Sequence, residues 1–314
     1  MKSRLTSRIA VLAAVLTCCP PAWSVEVRVA SYNVKDGVGA IGSSEYNAVR
    51  EVLQRVDADI VAFQELKTTD RVNWETLSRS LGYSNTTFGA YTRLSGNIYV
   101  GYASRYPVLS SADVFSPPPA YEMTRPPHRA AVDVPGAEVP LVLWTVHHKA
   151  SYGDVNEFRR AIESLRCVED IDAYLDAHPA HREYMVLGDF NDDVAQYQSG
   201  AFSASITNEY FPASYRLGGD VTFPVSYWVF PRDAYEAAGE GMTMLDATRQ
   251  DSPDGHTYAS QESSYTARYD YLFASAALRD SLQGAPRSEV YDSAHDDGVG
   301  GLPKQGAPPA ASRP

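Results

Sequence analysis

The chain has 314 residues, with 39 acidic against 27 basic side chains and a formal charge of −12. The hydrophobic set makes up 44% and the charged set 21%, an ordinary globular composition that excludes a disordered tail, a collagen and a small disulfide scaffold. The acidic balance excludes a protein that works by coating nucleic acid with Lys and Arg, but not an enzyme that cuts nucleic acid at a local site.

Lys2, Arg4 and Arg8 precede an unbroken apolar run from Ile9 to Leu16, and Ala22-Trp23-Ser24 offers small residues two apart. This is the pattern of a secretory signal peptide over residues 1–24, so a secreted or periplasmic protein is expected. The apolar run is too short to span a bilayer, and no stable membrane span is expected. Cleavage after Ser24 removes three positive charges, leaving −12 − 3 = −15 on the mature chain. Two of the three cysteines fall in the leader. Cys167 then has no partner for an internal disulfide, and its apolar helical setting reads as core.

Val25 to Tyr32 alternates like a strand, and Ser44 to Val56 places Tyr46, Val49, Leu53 and Val56 at helical spacing. Asp59 to Phe63 is a short apolar strand ending at Gln64-Glu65. This strand–helix–strand opening predicts an α/β layer fold. Further strands are expected over Asn97–Ser104, Val139–His147, Tyr184–Leu187 and Arg268–Ala274. The strongest helix is Asp154–Ala177, with Phe158, Ile162, Leu165, Val168, Ile171 and Leu175 on one face and Asp154 in the cap position of a capping-box pattern. No internal repeat or interdomain linker stands out, so one domain is expected over residues 25–297. From Gly298 to Pro314, 12 of 17 residues are Gly, Pro, Ala or Ser, and no periodicity survives.

Polar residues gather where strands end: Ser31-Tyr32-Asn33, Gln64-Glu65, His147, Gly188-Asp189-Phe190-Asn191 and Asp270. Strand ends in α/β layers converge on one rim, where ligands bind. Oxygen ligands from Asn33, Glu65 and either Asp189 or Asn191 suit a hard cation such as Mg²⁺. His147 and His148 are adjacent and point to opposite faces of a strand, so only one can face a site there. Asp270 has Arg268 close by as an alternative ion-pair partner.

In this order Ser31-Tyr32-Asn33, Gln64-Glu65, Ser104-Arg105-Tyr106-Pro107, Val146-His147-His148-Lys149, Gly188-Asp189-Phe190-Asn191 and Arg268-Tyr269-Asp270-Tyr271 resemble the motifs of the endonuclease/exonuclease/phosphatase superfamily, the DNase I-like proteins. The resemblance runs from about Val27 to Ser275. It implies a four-layer α/β/β/α sandwich of two mixed β-sheets with flanking helices. It also implies metal-dependent hydrolysis of a phosphoester by in-line attack of water, with Mg²⁺ as the expected metal and Mn²⁺ or Ca²⁺ as alternatives. By position, Asn33 and Glu65 resemble the metal-holding pair and His147 the histidine that contacts the scissile phosphate. Asp189 and Asn191 resemble the residues that orient or deprotonate the attacking water. Asp270 resembles the carboxylate that orients a second histidine near the C-terminus.

The sequence departs from the family at its end. In place of Ser-Asp-His it has Ser293-Ala294-His295, followed by a glycine-rich run. The expectation is that the chain stops short of the last strand and second histidine; the alternative is that His295 fills that role. The leading functional reading is a secreted, monomeric endonuclease or phosphodiesterase acting on nucleic acid, with Arg93, Arg105, Arg125 and Arg129 as candidates to face its backbone. One alternative is a phosphomonoesterase or sphingomyelinase-like lipid hydrolase, the latter if the aromatics of Phe223–Phe230 are exposed. The other is an inactive binding protein on the same scaffold.

Overall fold

A computed structural model of the chain describes residues 26–90, 97–115, 123–193, 202–205, 220–223, 231–249, 255–261, 264–281 and 288–291. The leader segment, Arg93, His295, the glycine-rich tail and the side chains of Phe223–Phe230 lie outside the described residues. The strands in chain order are β1 (Val29–Asn33), β2 (Ile60–Lys67), β3 (Asn85–Phe88), β4 (Ile98–Ser104), β5 (Val108–Asp113), β6 (His128–Val132), β7 (Leu141–His147) and β8 (Tyr184–Asp189). They continue with β9 (Phe202–Ser205), β10 (Asp220–Phe223), β11 (Met242–Met244), β12 (Thr248–Arg249), β13 (Tyr258–Gln261), β14 (Ser264–Ala267), β15 (Asp270–Ser275) and β16 (Glu289–Val290). The helices are α1 (Ser44–Val56), α2 (Arg71–Ser80), α3 (Asp154–Ala177), α4 (Pro231–Ala237) and α5 (Ala276–Ser281).

Two mixed sheets form the centre. One runs β1-β2-β4-β3 and the other β11-β15-β8-β7-β6-β5. Within these two sheets the parallel neighbours are joined by the crossovers β1–α1–β2 and β7–α3–β8, each with its helix on the outer face. Three apolar clusters then define four layers. Val61, Phe63 and Leu66 pack with Tyr46, Val49 and Leu53 of α1 and Trp74 and Leu77 of α2. Ile60, Ala62, Tyr102, Ala130, Val132, Leu143 and Leu187 fill the space between the sheets. Val142, Trp144, Val146 and Val186 pack with Cys167, Ile171 and Tyr174 of α3 and Tyr235 of α4. Strands covered on both faces must be apolar throughout, which is why β2 and β7 read as continuous hydrophobic runs. This is the α/β/β/α sandwich that the strand-end motifs implied.

Local signals explain the element limits. The Ser43 hydroxyl accepts the Tyr46 N–H and starts α1, and Asp57 in a left-handed conformation stops it. For α3 the cap differs from the expectation: Gly153, not Asp154, holds the N-cap position, with no side-chain cap bond. Its apolar stripe also differs. Ile162 and Ile171 are buried as expected, but so are Arg159, Arg160, Glu163 and Ser164. The first half of α3 thus buries polar side chains, and the reason lies in the site above it. Cys167 is fully buried, and burial pushes its thiol up, as core residues do. No helix among the described residues is long and apolar enough to cross a membrane.

Candidate active site

Five strands deliver polar side chains to one end of the sandwich. In register, His147 pairs with Asp189, and Asp189 pairs with Asp270 on its other side. Inward residues alternate along each strand: Leu143 and Thr145 precede His147, and Met185 and Leu187 precede Asp189. Both side chains therefore point between the sheets. Gly188 permits the close approach of β7 and β8 at this level. Its φ is +146°, and a Cβ there would lie 2.1 Å from the Val146 carbonyl oxygen. Asn33, the last residue of β1, faces them from the other sheet.

Glu65 reaches the site through a bulge. Phe63 pairs with Gly101 and Leu66 with Tyr99, so Gln64 and Glu65 together oppose a single residue of β4. Ile60, Ala62 and Gln64 face the second sheet, and Leu66 already faces the helices again. In an unbroken ladder Glu65 would have turned outward. The bulge places it at φ +59° and re-aims its carboxylate along the strand end. A non-glycine residue held there costs on the order of 1–3 kcal/mol, which the surrounding contacts must offset.

The result is a tight cluster. Ligand-capable atoms of Glu65, His147 and Asp189 all lie within 4.8 Å of one another. The Asn33 side-chain amide donates to Glu65 Oε1 at 3.0 Å and to Asp189 Oδ2 at 2.9 Å. His147 Nε2 stands 3.5 Å from Glu65 Oε1 and 3.8 Å from Asp189 Oδ2. Burial, then the Asp270–Asp189 juxtaposition, drives the Asp270 carboxyl well above its usual range. Burial pushes Asp189 to about 6, and the Glu65 charge adds to this, against the Asn191 N–H and the Asn33 amide. Burial, then Arg125 and His148, holds His147 well below the usual histidine range, so its ring is neutral at pH 7. Carboxylates crowded this way with a neutral imidazole are short of positive charge. Oxygen donors plus one imidazole fit a divalent cation.

The sequence-predicted residues are placed as follows. Glu65, His147 and Asp189 converge. Asn33 joins them, but through its amide nitrogen: its Oδ1 accepts the Lys35 N–H at 2.9 Å in a turn. As oriented, its oxygen faces away from the two carboxylates, and a flip of the amide would exchange the two atoms. Asn191 lies beside Asp189, donating its main-chain N–H to Asp189 Oδ1 at 2.8 Å. Its side-chain amide donates to the His148 carbonyl at 3.1 Å. Asp270 sits next to Asp189, with its main-chain N–H on the Thr257 hydroxyl. Arg268 is turned to the Leu245 carbonyl and to Asp246. His148 points the other way from His147, into a buried pocket with Tyr235, Ser164 and Glu163.

Of the three candidate arginines among the described residues, Arg125 lies at the site. It donates to the carbonyls of His147 and His148 at 3.4 and 3.2 Å, and the charges of Glu163, Glu65 and Asp189 act on it. Arg105 pairs with Asp57 and Asp59 at the far end of its strand, and Arg129 pairs with Asp170 and lies over Tyr174. Sequence reasoning gave Gln64 no role beyond its motif and missed Glu163. Gln64 is fully buried and donates to Thr145 Oγ1 at 2.9 Å, linking the two sheets beneath the cluster. Its signal was present as a polar residue at the end of an apolar strand. Glu163 carried no such signal, because an acidic residue on an amphipathic helix reads as solvent-facing.

The sequence profile of the Endonuclease/Exonuclease/phosphatase family matches residues 30–295. No curated protein sequence matches the chain. Among solved structures, the mannosyl-6-phosphatase of Bacteroides thetaiotaomicron superposes with a TM-score of 0.53 at 14% identity, covering 80% of this chain and 86% of that one. An endonuclease/exonuclease/phosphatase of Beutenbergia cavernae gives 0.52 at 19% identity, covering 80% and 64%. The catalytic domain of human Nocturnin, with a bound sulfate, gives 0.51 at 15% identity, covering 80% and 83%. At these identities the likeness speaks to the fold. With the profile match spanning most of its length, the chain belongs to the Endonuclease/Exonuclease/phosphatase family, the DNase I-like superfamily of divalent-metal-dependent phosphoester hydrolases.

Proposed function

We propose that the protein is a secreted phosphodiesterase that cuts nucleic acid with the help of Mg²⁺. The observation that carries this reading is the convergence of Glu65, His147 and Asp189 within 4.8 Å, braced by Asn33. Glu65 and Asp189 would hold the cation through oxygen, with His147 Nε2 as a further donor. Mg²⁺ is favoured by the carboxylates, and Mn²⁺ fits the imidazole as well. When bound, the cation supplies charge neutralisation at the phosphoryl oxygens.

The remaining steps belong to the chain's own groups. Asp189, beside the cation, is suited to orient an attacking water towards the phosphate. The Asn191 N–H on Asp189 Oδ1 leaves that carboxylate's second oxygen directed to the cluster. Arg125, the cation beside the site, is suited to take up charge developing on the phosphate. Asp270 supports the site from its other side.

Secretion is proposed from the basic and apolar leader ahead of Val25. A mature chain at −15 has to hold a polyanion locally, around the cation and Arg125. The test is a substrate panel at fixed Mg²⁺: plasmid DNA, p-nitrophenyl phosphate and choline phospholipid vesicles, each with an EDTA control. Metal-dependent nicking of the plasmid is expected. Turnover of the monoester or the lipid with intact plasmid contradicts the nuclease reading.

A further inference from the structure

The catalytic cluster rests on a polar layer that none of the assigned roles uses. Glu163 of α3 is fully buried, and its two carboxylate oxygens have separate partners. Oε1 accepts the main-chain N–H of Thr124 at 2.6 Å, and Oε2 accepts that of Lys149 at 2.7 Å. Thr124 precedes Arg125, and Lys149 follows His147-His148. One carboxylate therefore clips together the segment entering β6 and the segment leaving β7.

The same layer reaches the third segment of the site. His148, whose Nδ1 stands 3.6 Å from Glu163, donates its main-chain N–H to the Asp189 carbonyl at 2.9 Å. Its own carbonyl accepts from Asn191 and from Arg125. Arg159 holds the Thr124 hydroxyl at 2.9 Å, and Arg160 holds the Lys149 and Ser151 carbonyls and pairs with Asp192. Charged groups are seldom fully buried unless they are partnered in this way. Burial raises the Glu163 carboxyl, while the Thr124 and Lys149 N–H groups and Arg159 oppose that rise.

We infer that Glu163 is a positioning residue: through the Thr124 and Lys149 N–H groups it sets Arg125 and His147 at the separation that phosphoester hydrolysis needs. The inference rests on the phosphoesterase reading of the cluster. Glutamine is the informative replacement. Glu163→Gln keeps the shape but offers one acceptor, and its NH₂ meets an N–H donor, so one leg of the clip opens. Nothing bonds Glu163 to Glu65 or Asp189 directly, so those two cation donors stay in place while His147 is freed to shift.

The experiment compares wild type, Glu163→Gln and Glu163→Asp with bis(p-nitrophenyl) phosphate as probe. It also measures Mn²⁺ affinity, inhibition by inorganic phosphate, and amide hydrogen exchange at Thr124 and Lys149. The expected result for Glu163→Gln is a loss of about 10–100-fold in kcat, the range seen when groups that orient a site's ligands are removed. Mn²⁺ affinity should fall far less than kcat, because Glu65 and Asp189 stay in place; phosphate inhibition should weaken, and exchange should rise at both amides. Glu163→Asp, with two acceptors, should recover part of the rate. Unchanged kcat and phosphate inhibition in Glu163→Gln overturn the inference. A parallel fall of kcat, Mn²⁺ affinity and thermal stability also overturns it, because that marks a plain structural role. A wild type that hydrolyses no phosphoester contradicts the proposed function instead; the clip is then judged by phosphate binding and amide exchange.

Discussion

The Gln64 side chain donates to the Thr145 hydroxyl across 2.9 Å, and this bond ties the two β-sheets together directly below the cation cluster. Ser31 completes the link by donating to Gln64 Oε1 at 3.3 Å. Gln64 neighbours Glu65, and Thr145 lies two residues before His147 on the same face. Replacing Gln64 with Leu takes the donor from the fully buried Thr145 hydroxyl. The expected cost is about 1–3 kcal/mol in urea unfolding, together with a loss of activity at saturating metal. Unchanged activity would show that the link serves stability alone.

Asn33 shields two carboxylates from each other. In Asn33→Ala, Glu65 and Asp189 lose their shared donor, and the orientation of the donor set is no longer fixed. Mg²⁺ affinity should fall about 10–100-fold, read by titrating activity against Mg²⁺ after EDTA treatment. An unchanged Mg²⁺ midpoint would remove Asn33 from the metal's surroundings.

The raised Asp189 carboxyl gives a pH signature in metal-free protein. Its ordinary value of 3.8 moves to about 6 on folding. The folded state thus binds the proton more tightly than the unfolded state. This contribution is present below pH 3.8 and is lost as pH rises through about 6. A bound divalent cation should offset that loss, so the gain in Tm on adding Mg²⁺ should grow between pH 4 and pH 7. At a concentration 100 times Kd the accompanying gain in unfolding free energy at neutral pH should approach about 2.7 kcal/mol. A gain independent of pH would mean that the cation binds away from Asp189.

Gly188 marks where the backbone leaves no room. Gly188→Ala would put a Cβ 2.1 Å from the Val146 carbonyl oxygen at φ +146°. A destabilisation of about 3 kcal/mol is expected, with activity falling because His147 and Asp189 flank the displaced pair. Equal stability of the variant, measured by denaturant unfolding, would contradict the close approach.

The strands that read clearly from sequence were those buried on both faces, such as β2, β7 and β8. The structure extends β2 to Lys67 and β8 to Asp189, and starts β15 at Asp270 instead of Arg268. Edge and half-exposed strands were not legible: β5, with Leu109, Ser110 and Ser111 exposed, carries no alternation to find. The site residues were legible because they end apolar runs. Their geometry was not. The bulge that turns Glu65 inward depends on its pairing with β4, which local sequence does not encode. The amide orientation of Asn33 depends on the turn to Lys35. Glu163 carries no sequence signal, because the segments that cover it, at Thr124 and Lys149, come from elsewhere in the chain.

The central claim is that Glu65, His147 and Asp189 hold the divalent cation on which phosphoester hydrolysis depends. It is tested most directly by restoring Mg²⁺ to EDTA-stripped protein and following hydrolysis of bis(p-nitrophenyl) phosphate, for wild type and Glu65→Gln. The account predicts no product without metal, a saturable rise with Mg²⁺ in wild type, and a Mg²⁺ midpoint raised at least about tenfold in Glu65→Gln. Hydrolysis by the stripped protein at the full rate, or identical midpoints for the two proteins, would contradict it.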